Sequence, residues 1–154
     1  MTTLKEGKKA PAFKGTDQNG DIVSLSDFKG KKVILYFYPK DDTPGCTAQA
    51  CNLRDNYQLL IDKGYQVIGI STDTVKSHKK FEKKFNLPFP LIADEEQKIV
   101  EKYGVWGEKK FMGRTYIGTH RTTFLIDEEG KIKKIIEKPD TQNQTAQVLL
   151  EWEK

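Results

Sequence analysis

Two cysteines, Cys46 and Cys51, lie in a chain of 154 residues. The segment that carries them, Phe37-Tyr-Pro-Lys-Asp-Asp-Thr-Pro-Gly-Cys-Thr-Ala-Gln-Ala-Cys51, begins at the end of Val33 to Tyr38, the longest apolar run. Thr43 suits a helix N-cap and Pro44 a first helical position, so Cys46 falls in a first helical turn. Unpaired amides and the positive end of the helix dipole favour a thiolate there. A free thiol ionises near about 8.5, and bringing one to about 6 takes roughly 3.4 kcal/mol. A helix terminus supplies roughly 0.3–1 kcal/mol and at most about 2, so a cation is expected beside the sulfur. Arg121 is the best placed. If the strand it opens runs antiparallel to Val33 to Tyr38, its start lies beside the other's end, where Cys46 sits, and its guanidinium can stabilise a thiolate or polarise a bound oxygen. Lys40 and His120 are rivals for that role.

Cys46 and Cys51 are five residues apart, which on an ideal helix puts their Cα atoms roughly 8.7 Å from each other on opposite sides. A disulfide needs about 7 Å or less. Either the two never bond, or bonding unwinds the turn; Cys51 also reads as a small buried hydrophobe. A zinc site needs about four ligands, and the only other soft donors, His78 and His120, are far apart in the chain, so no metal is expected. The Cys-x-x-Cys spacing of dithiol reductases is absent.

The elements that must position these residues are readable from periodicity. Asn19-Gly20, between Ala10 to Lys14 and Asp21 to Leu25, signals a small β-hairpin. Val33 to Tyr38, apolar at every position, suits a central strand covered on both faces. After the loop Pro39 to Gly45, the apolar positions Ala48, Leu53, Tyr57, Leu60 and Ile61 mark one helix running to Lys63-Gly64. Tyr65 to Ile70 is a second buried strand, Val75 to Phe85 a lysine-rich surface helix, and Asp94 to Tyr103 a short helix. Gly104 to Thr119 reads as irregular, and Trp106, Phe111 and Tyr116 either line a partner surface or pack, packing being the favoured account. Thr122 to Asp127 and Lys131 to Ile136 form a hairpin whose second strand is the more exposed, and Thr141 to Trp152 is a final amphipathic helix. A mixed central sheet with parallel inner strands, a closing antiparallel hairpin and helices on both faces is the expected α/β architecture. No linker or repeat divides the chain, so residues 1–154 are read as a single domain.

Composition excludes several functions. At this length folding buries roughly 68–70% of the unfolded surface, enough for a core without disulfide staples. No apolar run approaches the roughly 20 residues of a membrane-spanning helix. Twenty-six basic against 22 acidic side chains leave +4, interspersed along the chain, far from the concentrated patch that nucleic acid requires. The first residues show no apolar signal segment, so a reducing, cytoplasmic setting is expected, where a permanent structural disulfide is out of place.

Pro39, Thr43 and Cys46, in the order Pro-x-x-x-Thr-x-x-Cys, match the peroxiredoxin fingerprint. The longer string through Cys51, with Arg121-Thr-Thr-Phe-Leu-Ile-Asp127, resembles the peroxiredoxin Q, or bacterioferritin comigratory protein, subfamily, from Gly7-Lys-Lys-Ala-Pro-Ala-Phe13 to the last helix. The resemblance implies a thioredoxin-like fold and thiol-dependent reduction of hydrogen peroxide and organic hydroperoxides. It further implies recycling by thioredoxin or a similar dithiol, a monomer, and no metal, haem or flavin. Carried over residue by residue, Cys46 is the peroxidatic nucleophile, Cys51 the resolving cysteine, Thr43 a hydrogen-bonding partner of the peroxide, Arg121 the stabilising cation and Pro39 the shield from water. The alternatives are a partner-binding module, which does not require Thr43 three residues before Cys46 with an arginine opening a later strand, and a redox sensor, which uses the same cysteines without fast turnover.

Overall fold

A computed structural model of the chain describes residues 2–154. The hairpin at Asn19-Gly20 is formed by β1 (Lys14–Thr16) and β2 (Ile22–Ser24), which pair antiparallel. Its turn is closed by the Asp17 carboxylate, which accepts the amides of Asn19 and Asp21. A short 3-10 turn, Leu25–Phe28, leads into β3 (Lys32–Phe37). In chain order there follow α1 (Pro44–Asp55), α2 (Tyr57–Asp62), β4 (Tyr65–Ser71), α3 (Val75–Phe85), β5 (Leu91–Ala93) and α4 (Lys98–Lys102). The chain continues through β6 (Trp106–Phe111), β7 (Arg114–Thr119), β8 (Thr122–Ile126), β9 (Ile132–Ile136) and α5 (Gln144–Glu153).

Seven strands form one mixed sheet in the order β2-β1-β5-β4-β3-β8-β9. Strands β3, β4 and β5 are parallel, and β8 and β9 continue the sheet antiparallel from β3. Side chains alternate across a strand, so β3 feeds two cores. Ile34 and Tyr36, with Tyr38 just beyond, pack with Cys46, Ala50 and Leu53 of α1, Phe81 of α3 and Val148 of α5. Val33, Leu35 and Phe37 pack with Phe13, Val100 of α4, Tyr103 and Phe124. The continuous apolar run is thus the signature of a strand covered on both faces. No helix among the described residues is long and apolar enough to cross a membrane.

The structure departs from the sequence reading in several places. The helix expected to reach Gly64 without a break ends at Asp55, and Asn56 separates it from α2. The Asn56 side-chain amide donates to the Asn52 carbonyl at 2.8 Å, a side-chain bond to backbone of the kind that ends helical turns. Strand β5, between Pro90 and Asp94, has three residues, too few to show a period. The short helix shrinks to α4 because the Asp94 carboxylate reaches over to accept the amides of Ile99 and Val100.

The largest correction concerns Gly104 to Thr119. It is a two-stranded hairpin apart from the main sheet, β6 with β7, turning on Met112 and Gly113, which both have positive φ. That is the backbone of a two-residue hairpin turn, but methionine is not one of its signature residues. The hairpin is largely exposed on both faces, so no apolar alternation marks it. Phe111 and Tyr116 are accordingly exposed, at 65% and 46%, and do not pack as expected; Trp106 alone of the three lies against the core.

Candidate active site

Strand β3 delivers the chain to the loop of residues 38–43, and Pro44 starts α1. Thr43 occupies the N-cap position in extended conformation, but its side chain makes no capping bond. Its hydroxyl instead donates to the Lys40 carbonyl at 2.8 Å. The first amide with a helical acceptor is that of Thr47, 2.8 Å from the Thr43 carbonyl. The amides of Gly45 and Cys46 therefore lie in the turn that has no intrahelical partner, and Cys46 sits at the positive end of the helix dipole. Cys46 is 1% exposed.

The register of β3 with β8 pairs Phe37 with Thr122. Arg121, one residue earlier, thus lies at the sheet end where β3 exits. Its Nη2 donates to Cys46 Sγ at 3.3 Å and its Nη1 to Gln49 Oε1 at 2.8 Å. The Gln49 side-chain amide donates in turn to Gln144 Oε1 at 2.8 Å, and Gln144 Oε1 also takes the Thr123 hydroxyl at 2.7 Å. Gln49, Gln144 and Thr123 are fully buried, so the guanidinium is held by a chain of buried bonds running from α1 to α5 and back to β8. In a buried network each such bond is costly to break, because a partner is left unsatisfied.

The rivals lie elsewhere. Lys40 is exposed and contributes its carbonyl to Thr43, while the His120 Nε2 bonds with the Glu108 carbonyl at 3.0 Å. A cation that sequence reasoning passed over is Lys109 of β6, whose Nζ donates to the Thr119 carbonyl. Burial lowers its pKa, the Arg121 charge lowers it further and Cys46 opposes both, which places this ammonium within the field of the pair. The Tyr36 phenol is pushed well above the usual range first by burial, with the neighbouring Cys46 acting in the same direction. Cys51 is part-buried on α1, and both cysteines are free. Pro39 is half-buried directly after Tyr38. Asp41, Asp73 and His78 bring potential metal-ligand atoms within 4.8 Å of one another, but each is already engaged in hydrogen bonds to protein groups.

A cysteine in a first helical turn, under an arginine from the start of an antiparallel strand, is thus embedded in a chain whose residues 7–135 match the AhpC/TSA family. The chain belongs to that family. It is 49% identical over 152 residues to peroxiredoxin Bcp of Escherichia coli strain K12, covering 99% of this chain and 97% of the relative. Against peroxiredoxin Bcp of Bacillus subtilis strain 168 the identity is 44%, over 96% and 94%. Among solved structures, a cysteine-to-serine mutant of Xylella fastidiosa PrxQ superposes with a TM-score of 0.92 at 26% identity, covering 99% of this chain and 98% of that one. The Xanthomonas campestris bacterioferritin comigratory protein, described for its alkyl peroxide reduction activity, gives 0.85 at 27% identity, over 96% and 97%.

This peroxiredoxin is therefore a thiol-dependent peroxidase of the peroxiredoxin Q, or bacterioferritin comigratory protein, subfamily, with a thioredoxin-like fold. Its substrates are hydroperoxides and its reductant is a thiol. Gln49 and Gln144 were not legible as site residues. The available signal for Gln49 was its spacing, since a residue three after Cys46 shares its helix face. Gln144 comes from the far end of the chain, and nothing local marks it.

Proposed function

We propose that Cys46 is the peroxidatic nucleophile and Cys51 the resolving thiol, with Arg121, Thr43 and Pro39 completing the site. The observation that carries this reading is the 3.3 Å contact between Arg121 Nη2 and Cys46 Sγ in the first turn of α1. The Cys46 thiolate attacks one oxygen of the hydroperoxide and the O–O bond breaks. The leaving alkoxide takes a proton and departs as alcohol or water, and Cys46 is left as sulfenic acid. The guanidinium stabilises first the thiolate and then the charge developing on the oxygens. Because the Thr43 hydroxyl proton is directed at the Lys40 carbonyl, the oxygen is free to accept the peroxide O–H. Pro39, with no amide to hydrate, keeps water from the approach.

Cys51 then attacks the sulfenic sulfur, water leaves and a disulfide forms. The reductant returns both thiols by two thiol–disulfide exchanges, its own dithiol becoming a disulfide; thioredoxin or a similar dithiol protein fits this step. An intact helix keeps the Cα atoms roughly 8.7 Å apart, so resolution requires α1 to unwind. Its far half is tied down: the Asn52 side chain donates to the Gln142 carbonyl and accepts the Thr145 amide. Unwinding is therefore confined between Thr43 and Cys51. Hydrogen peroxide and organic hydroperoxides are both substrates in this reading, the latter supported by the alkyl peroxide reduction named for the Xanthomonas relative. The protein acts as a single-domain antioxidant monomer of the cytoplasm. The test is peroxide-dependent NADPH oxidation with thioredoxin and its reductase: sustained turnover is expected, and its absence with both hydrogen peroxide and a cumene-type hydroperoxide refutes the assignment.

A further inference from the structure

Asp41 sits midway in the loop that carries the site, two residues after Pro39 and two before Thr43, yet it is 7% exposed and bonded to a different part of the protein. Its amide donates to Asp73 Oδ2 at 2.9 Å. Its Oδ1 accepts the Tyr38 hydroxyl at 2.6 Å, and its Oδ2 accepts the Ser77 hydroxyl at 2.8 Å. The same Oδ2 lies 2.7 Å from Nδ1 of His78, a fully buried residue of α3. The other ring nitrogen, Nε2, is 2.9 Å from the Ile92 carbonyl. A carbonyl only accepts, so Nε2 carries a proton, and a second proton must then lie between Nδ1 and Oδ2. Asp73 is itself fixed by the Ser71 hydroxyl at 2.7 Å.

None of these groups takes part in the chemistry described above. The loop around them has reason to need them. Lys40 and Asp42 on either side are exposed, and Asp42 holds φ 55°, a left-handed conformation that a non-glycine residue keeps only where its surroundings impose it. Asp41 is the buried point of attachment between the end of β3 and the N-cap of α1.

We propose that Asp41 and His78 are positioning residues of the peroxidase reaction. Their proton-sharing contact clamps the loop onto α3, so that Pro39 and Thr43 keep a fixed relation to Cys46 Sγ, and it is the stationary pivot beyond which α1 unwinds. This rests on the assignment of Cys46 and Thr43 under the preceding heading. The chemistry of the clamp predicts which substitution it tolerates. In Asp41→Asn, Oδ1 still accepts from Tyr38, while Nδ2 donates to the lone pair of a neutral His78 and to the Ser77 oxygen, so every partner remains satisfied. Asp41→Ala leaves His78, Ser77 and Tyr38 without their acceptor.

The experiment compares two reactions of Cys46 in the full-length protein: oxidation by hydrogen peroxide, followed by quenched flow, and alkylation by iodoacetamide, which needs the thiolate but no seated peroxide. Asp41→Ala is expected to lower the oxidation rate constant about tenfold or more, the scale of a misplaced reacting group, with alkylation nearly unchanged. Asp41→Asn should stay within about threefold of the parent in both reactions. Ser77→Ala, a milder change at a part-buried helix position, should slow oxidation about twofold to fivefold without affecting alkylation, and it decides the matter if Asp41→Ala does not fold. The proposal is overturned by oxidation at the parental rate in Asp41→Ala and Ser77→Ala, by oxidation and alkylation falling in proportion in either of them, or by Asp41→Asn being as slow as Asp41→Ala. Peroxide reduction by Cys46→Ser in the same assay would instead remove the assignment on which the proposal rests.

Discussion

A β-carbon on Gly45 would stand 3.1 Å from Arg121 Nη2, the nitrogen that donates to the Cys46 sulfur. Glycine there leaves room for the close approach of the guanidinium to the first turn, in addition to the conformational freedom it lends that turn. Gly45→Ala should displace the guanidinium by a few tenths of an ångström and lower the rate of Cys46 oxidation about threefold to tenfold. Thermal stability should hold or rise, because alanine is favoured over glycine in a helix by about 0.5–1 kcal/mol. Stopped-flow oxidation and a melting curve on the same sample check this; an unchanged rate sinks it.

Cys46→Ser should abolish peroxide reduction, since no other thiol lies in a first helical turn beside a cation. Cys51→Ser should retain the first oxidation at close to the parental rate while losing turnover with thioredoxin, since only the resolving thiol is gone. Single-turnover and coupled assays on the pair separate the two roles. Undiminished recycling in Cys51→Ser would make Cys51 a packing residue.

Arg121→Ala removes a hydrogen bond to a charged partner, worth about 1.5–3 kcal/mol, so the oxidation rate should fall about tenfold to a hundredfold. Gln49→Leu keeps the guanidinium but takes away its outer partner, and a smaller loss is expected. Rate constants from peroxide titrations decide it. If Arg121→Ala is silent, the cation role passes to Lys109, whose ammonium lies within the field of Cys46 and Arg121.

Peroxide treatment should yield an intramolecular Cys46–Cys51 disulfide, and amide exchange should accelerate for Thr47 to Asp55, whose helical acceptors are the carbonyls of residues 43 to 51, while α2 keeps its protection. The Asn52 side chain, held by Gln142 and Thr145, anchors the far end of α1 and keeps the opening from spreading beyond it. Few residues separate the two thiols, so little loop entropy opposes closure within one chain. Predominantly dimeric disulfides on non-reducing gels, or equal protection in both redox states, would contradict it.

What could be read from the sequence was local. The unbroken apolar run Val33 to Tyr38 announced a strand buried on two faces, Asn19-Gly20 a turn, and Thr43-Pro44 a helix start that places Cys46 in the first turn, because each is a property of neighbouring residues and their backbone preferences. The expectation that Arg121 lies beside Cys46 needed one assumption about strand direction, and the pairing of Phe37 with Thr122 supplies it. Strand β5 and the β6–β7 hairpin escaped for opposite reasons: one is too short to display a period, and the other has no buried face to impose one. The remaining parts of the site are non-local. Gln144 reaches Gln49 across 95 residues of sequence, and His78 reaches Asp41 across 37. No periodicity or motif encodes such meetings. They exist because α3 and α5 pack on the same face of the sheet as α1, where a buried polar side chain is stable only with a partner, and it is the packed structure that decides which partner it finds.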